Sequence, residues 1–218
     1  PPGVGKSRLA AEVAARWAGP SFFVELAEVQ DSAGFLVAVA TSLQLELTTQ
    51  SADEMVTVVA TALRGRVRPL LVLDNLEHLL AVLPETLGRW VGESGEAVFI
   101  GTSRQTLGLE GEQVLALEPL AAGAAAALLR ARAADEGVDL PVDKTSEALI
   151  LEICERLDHL PLAVELAAGR LGVLSLEQLS ERLSDRLRLL TSRRRDVSPR
   201  QSTLYAAIAW SWDLLDVA

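Results

Sequence analysis

The chain has 218 residues, half of them apolar, and a formal net charge of −10. That is long enough for one large or two small domains with a sizeable core; the acidic balance argues against a nucleic-acid clamp, which needs a basic face. A single cysteine, Cys154, excludes a disulfide framework and a Cys-rich zinc site, no apolar run reaches the roughly 18 residues of a membrane span, and a reducing cytoplasm is the expected setting.

The first seven residues, Pro1-Pro2-Gly3-Val4-Gly5-Lys6-Ser7, read as most of a phosphate-binding loop of the pattern G-x-x-x-x-G-K-[ST]. Its opening glycine would lie one residue before Pro1. With no initiating Met and a helix-like pattern breaking off at 210–218, the sequence is expected to be a piece of a longer protein. Glycines at 3 and 5 let successive backbone N–H groups turn inward into an anion nest, which the N-terminus of the next helix reinforces. In that chemistry Lys6 reaches the β- and γ-phosphates of ATP, and Ser7 places its hydroxyl on Mg2+. Pro2, Val4 and Arg8 belong to the same cofactor-binding stretch. A helix follows with Leu9, Ala10, Val13, Ala14 and Trp17 predicted on its apolar side.

Gly19-Pro20 ends that helix, and 21–26 reads as a strand. Two helices follow. Residues 32–45 present Leu36, Val39, Ala40 and Leu43. The second helix opens at Ser51 with Glu54 three residues on, a capping-box pairing, and points Met55, Val58, Val59 and Ala62 inward. Residues 69–75 form a continuous apolar run ending in Asp74 and Asn75. Such a run suits a strand buried on both faces of a parallel sheet, whose carboxyl end is where these sheets bind ligands. Asp74 therefore reads as the carboxylate of the Mg2+ shell. A helix over 76–90 leads to a further buried strand, 97–104, ending in Arg104, which either faces a γ-phosphate or is a solvated loop arginine. A last strand is predicted near 113–117. Strands alternating with helices indicate a parallel α/β sheet.

Past Pro119 the pattern is helical throughout: 121–134, 145–157, 161–171 and 175–183. Pro161 takes a first-turn position and Ser175/Gln178 form a capping box. Cys154 lies on an apolar face, as a packed residue. Residues 191–200, with Arg193-Arg194-Arg195, read as a linker, and 203–215 begins a further element with Trp210 and Trp212. The domain reading is a nucleotide-binding domain over 1–118, a helical lid over 119–190, and a linker with the start of another domain over 191–218.

The stretches PPGVGKSRLA, LLVLDNLEHL, FIGTSRQTLGLEGEQVLALEPL, ICERLDHLPLAVELAAGRL and RQSTLYAAIAWSWDLL, in this order, resemble the STAND-class signal-transduction ATPases. That class includes apoptotic and plant-resistance regulators with an NB-ARC-like core, and the similarity is greatest to its bacterial transcriptional-regulator branch. The resemblance implies a P-loop NTPase sheet in the order 5-1-4-3-2, whose first, central strand would precede Pro1, then an all-α lid and a winged helix. It implies that Arg104 senses the γ-phosphate and that Pro161 and Leu162 close over base and sugar. Asn75 stands where many relatives carry a second acid; an amide cannot accept a proton, so Glu77 is the nearest candidate general base. His159 stands where the family often has glycine.

The leading reading is an ATP/ADP switch with slow hydrolysis, self-assembling in its ATP state, with DNA contacts made only by domains outside the segment and no membrane partner. The alternative is an ATP-driven motor or loader, which needs sustained turnover and an arginine aimed at the phosphate, for which Arg170 is the lid candidate. A small-molecule kinase lacks an identifiable acceptor site. Without the central strand, the isolated segment is expected to be poorly soluble or to unfold without cooperativity, with a gap between the strands near Ile100 and Leu115.

Overall fold

A computed structural model describes residues 1–46 and 51–183; the linker, the Trp210/Trp212 element and the expected winged helix lie outside them. The chain divides into two compact units. One is Lys6–Ala116, and the other combines Pro1–Gly5 with the described residues from Leu117 to 183.

The first unit is an α/β layer structure. Parallel strands β1 (Ser21–Glu25), β2 (Leu70–Asp74) and β3 (Val98–Gly101) pair in the order β1-β2-β3, with Phe23 opposite Val72 and Val72 opposite Ile100. The run in β2 is apolar without alternation because both faces are covered: Leu70, Leu71, Val72 and Leu73 are fully buried. Leu70 and Val72 cluster with Ala10 of helix α1 (Lys6–Arg16), and Val13, Ala14 and Trp17 pack against the same cluster. Leu71 and Leu73 join the opposite layer, built from α2 (Ser32–Ser42), α3 (Ala52–Arg64) and α4 (Leu87–Glu93). Trp90 of α4 is fully buried there, stacked on Phe35 at 5.5 Å between centroids, with its indole N–H donating to the Val56 carbonyl at 3.0 Å. Burying one such side chain stabilises the fold by about 1.5–3 kcal/mol.

The α/β fold expected from the sequence is present, and several local readings are corrected. Leu9 is exposed, since the stripe 10-13-14-17 faces the sheet and residue 9 lies a 100° step away from it. Val58 is likewise exposed, and α3 buries Met55, Val56, Val59, Ala60 and Leu63 instead. Ser51 is the N-cap of α3, yet its side chain makes no capping bond to the helix.

The single helix expected over 76–90 is broken into a 3-10 turn, Leu76–His78, and α4. Pro84 disfavours helical angles at the residue before it and donates no N–H. Residues 113–117 form no strand, and Val114 and Leu115 are exposed, because no neighbouring strand offers them a ladder. Of the five-strand order, β3-β2-β1 reproduces the 4-3-2 part.

The second unit is helical. Helices α5 (Ala122–Asp135), α6 (Lys144–Arg156), α7 (Pro161–Ala168) and α8 (residues 176–183) share one core rich in small residues, including Ala125, Ala126, Ala163 and Ala167. Asp143 caps α6, accepting from the Ser146 and Thr145 N–H groups at 3.0 and 2.9 Å; the bonds from the Ser146 N–H and hydroxyl are the main cause of its lowered pKa. The capping box before α8 forms as read: Gln178 N–H donates to the Ser175 hydroxyl and Ser175 N–H to the Gln178 side-chain oxygen. Cys154 is fully buried in this core, and desolvation, with a smaller push from Glu147, raises its thiol to about pKa 11. It is a packing residue.

Candidate nucleotide site

The loop at the start of the chain takes its shape from its backbone. Gly3 and Gly5 have φ of 75° and 98°, the left-handed region that side-chain-bearing residues avoid. A Cβ built on Gly5 would meet nothing within 4 Å, so the backbone angle, not crowding, calls for glycine there. Turns of this kind are what a nest of inward N–H donors requires. Between them, Val4 is buried in the core of the helical unit, and the Gly3 carbonyl accepts the N–H of Leu162 at 3.2 Å. Pro161 is the first residue of α7, where its missing N–H costs nothing. Pro161 and Leu162 are thus placed against the backbone of the phosphate loop. Lys6, Ser7 and Arg8 form the first turn of α1, whose leading N–H groups carry the helix's partial positive charge.

The carboxyl ends of β2 and β3 take their shape from side chains. Thr102 is buried and fixed by the ladder: its N–H donates to the Leu73 carbonyl at 3.0 Å, and its own carbonyl accepts from Leu76 N–H at 2.9 Å. Its hydroxyl donates to Asp74 Oδ1 at 2.5 Å and accepts the Asn75 N–H at 2.9 Å. One hydroxyl therefore fixes both the half-buried carboxylate and the turn after it. Asn75 has φ of 71°, a conformation that Asn tolerates better than most side chains. Two residues on, Glu77 forms an ion pair with Arg104, Oε1 to Nε 2.7 Å. The two side chains differ in exposure, 18% for Glu77 against 63% for Arg104.

The sequence singled out Asp74, Glu77 and Arg104, and the structure brings Glu77 and Arg104 into contact with each other. Thr102 was missed, because its contact with Asp74 spans 28 residues and depends on the β2–β3 register. His159 has φ of 53° and Asp158 of 51°, the left-handed region that glycine enters most readily. Among the described residues no group of three or more His, Cys, Asp or Glu side chains could hold a metal. The donors on hand, the Ser7 hydroxyl and the Asp74 carboxylate, suit Mg2+, which keeps several waters and takes its remaining ligands from phosphate oxygens. Each is a hard-oxygen donor of the kind a magnesium nucleotide requires. No helix among the described residues is long and apolar enough to cross a membrane.

Residues 1–108 match a protein family described as an AAA domain. Over 227 residues and 98% of its length the chain is 33% identical to a protein of Mycobacterium tuberculosis named "Putative HTH-type transcriptional regulator", covering 24% of it. Over 222 residues and 99% of its length it is 32% identical to a protein of Mycobacterium bovis whose name assigns no function, covering 55% of that protein. The chain thus spans about a quarter of the first relative and about half of the second.

Proposed function

We propose that this chain, an α/β P-loop NTPase segment of the AAA type, is the ATP/ADP switch of a larger signalling regulator of the STAND, NB-ARC-like kind. The observation that carries this reading is the bond from Leu162 N–H to the Gly3 carbonyl: the Leu-Pro-Leu helix touches the phosphate loop itself. A change in the loop's backbone on nucleotide exchange is therefore felt directly by the helical unit. Exchange shifts a conformational equilibrium only as far as the nucleotide prefers one state.

In this reading Gly3, Val4, Gly5 and Lys6 cradle the phosphates, with Pro2 and Arg8 flanking them, and Pro161 and Leu162 cover base and sugar. Ser7 and Asp74 would hold Mg2+, which supplies positive charge against the β- and γ-phosphates. Thr102 holds the Asp74 carboxylate in one orientation, and Arg104 meets the γ-phosphate with its guanidinium fork. Asn75 offers no base, and Glu77 is engaged by Arg104, so hydrolysis is slow. The latter pairing supports a switch over a motor, which needs an acid ready to take a proton from water. The helical lid over 119–190 and a winged helix after it would complete the module in a cytoplasmic regulator that self-assembles with ATP and reaches DNA through other domains.

The test is on the whole protein: ATP and ADP affinities by calorimetry, and assembly state by light scattering with each. A switch prefers one nucleotide and changes its assembly state between them. Equal affinities with an unchanged assembly state refute it.

A further inference from the structure

We infer that Glu77 is a positioning residue for Arg104 and not the base of hydrolysis, an inference that rests on the nucleotide site proposed above. The two partners are mounted differently. Glu77 sits in the 3-10 turn Leu76–His78, which is tied down on several sides. Leu76 N–H donates to the Thr102 carbonyl, Leu79 N–H to the Leu76 carbonyl, and the His78 ring nitrogen Nε2 lies 2.6 Å from the Val29 carbonyl oxygen. Arg104 begins a loop that is closed by the Glu112 carboxylate, which accepts from the Leu107 and Gly108 N–H groups at 2.8 Å each. The carboxylate is the fixed partner and the guanidinium is the one being aimed.

The geometry says how it is aimed. Glu77 Oε1 lies 2.7 Å from Arg104 Nε in an ion pair, while the guanidinium as a whole is well exposed. A guanidinium paired with its carboxylate near Nε leaves its paired Nη groups for a second anion, and a phosphate presents an oxygen pair that suits them. The Glu77 oxygen in this ion pair is taken up by the guanidinium, whereas a general base needs its oxygen within hydrogen-bond reach of the attacking water. The same contact that qualifies Glu77 as an aiming residue disqualifies it as a base.

The role should appear in discrimination between nucleotides, because only ATP offers the third phosphate. In the whole protein with Mg2+ present, Glu77→Ala is expected to lower the ATP-over-ADP affinity ratio about 3- to 10-fold, less than the roughly 10- to 100-fold that losing a whole charge-assisted hydrogen bond costs, because Arg104 itself remains. ADP affinity and the melting temperature should stay within error. Glu77→Gln keeps an acceptor oxygen and should restore most of the ratio and of the slow hydrolysis. In an Arg104→Ala background, Glu77→Ala should have no further effect on the ratio.

A base would give the opposite pattern, with the ratio untouched and hydrolysis abolished equally by Ala and Gln; that result overturns the inference alone. So does a rise in ATP affinity on Glu77→Ala, the mark of a competitor for the arginine. Equal loss of ATP and ADP affinity with a fall in melting temperature assigns a purely structural role and overturns it too. Failure of the unaltered protein to bind either nucleotide overturns the nucleotide site itself, and this inference with it.

Discussion

The phosphate loop and the carboxyl ends of β2 and β3 keep their shapes by different means. In the loop the information is in backbone angles, at Gly3 and Gly5, and in one backbone carbonyl bonded to Leu162. At the strand ends it is in side chains, with Thr102 holding Asp74 and Glu77 holding Arg104. A backbone-held element tolerates loss of a side chain without losing its form, whereas a side-chain-held one loses geometry with a single atom. Substitutions in the two places should therefore separate binding from stability in opposite directions.

The largest effect is expected at Lys6. Lys6→Ala removes charge-assisted bonds to phosphate, and nucleotide affinity falls about 100-fold, near the upper end for such bonds, while the loop's backbone form is kept. The melting temperature of the unliganded protein should move far less than the affinity, and calorimetry and thermal unfolding read the two quantities separately. A marked fall in melting temperature would show that the loop, too, is held by a side chain.

Thr102→Val should do the reverse. The shapes are nearly alike, but the hydroxyl that serves both Asp74 and the Asn75 N–H is gone. Leaving buried polar groups without a partner costs about 1–3 kcal/mol each, and denaturant titration should show a loss in that range. Thr102→Ser keeps the hydroxyl and should recover most of it. Because Asp74 would then be free to turn, the Mg2+ dependence of nucleotide binding should also weaken in the valine variant and not in the serine one.

Gly5→Ala tests the backbone half of the contrast. Nothing lies within 4 Å of the added methyl, so any penalty comes from the φ of 98° alone. That strain is worth about 1–3 kcal/mol, and it should appear as weaker ATP and ADP binding in equal measure, since both share the α- and β-phosphates. Unchanged affinity would mean that the loop's form does not depend on that angle.

The contrast also decides what could be read in advance. The loop was legible because backbone demands are written locally, as Gly-x-Gly-Lys-Ser, and β2 because burial on both faces leaves an unbroken apolar run. The fold class followed from those two stretches and the alternation of strand and helix. Thr102 was not legible, since nothing near it in sequence announces a carboxylate on a neighbouring strand. Residues 113–117 and Ser51 differ from the reading for a related reason: β propensity makes no strand without a ladder partner, and a capping spacing does not by itself bring the Ser51 side chain to the helix N–H groups. The capping box at Ser175 and Gln178 has the same spacing and does form.

The smallest effect is expected at His159, a third place where backbone sets the form. Its φ of 53° costs a side-chain-bearing residue about 1 kcal/mol, which glycine would relieve. Glycine also adds freedom to the unfolded chain, a loss of about 0.4–1 kcal/mol. The two nearly cancel, so His159→Gly should change stability by less than about 0.5 kcal/mol by denaturant titration. ADP affinity should stay the same, because the Leu120 N–H bonds to the backbone carbonyl of residue 159 and not to the imidazole. A loss well above that limit would show that the half-buried ring holds the Leu-Pro-Leu turn by packing, and would move this turn from the backbone-held class to the side-chain-held one.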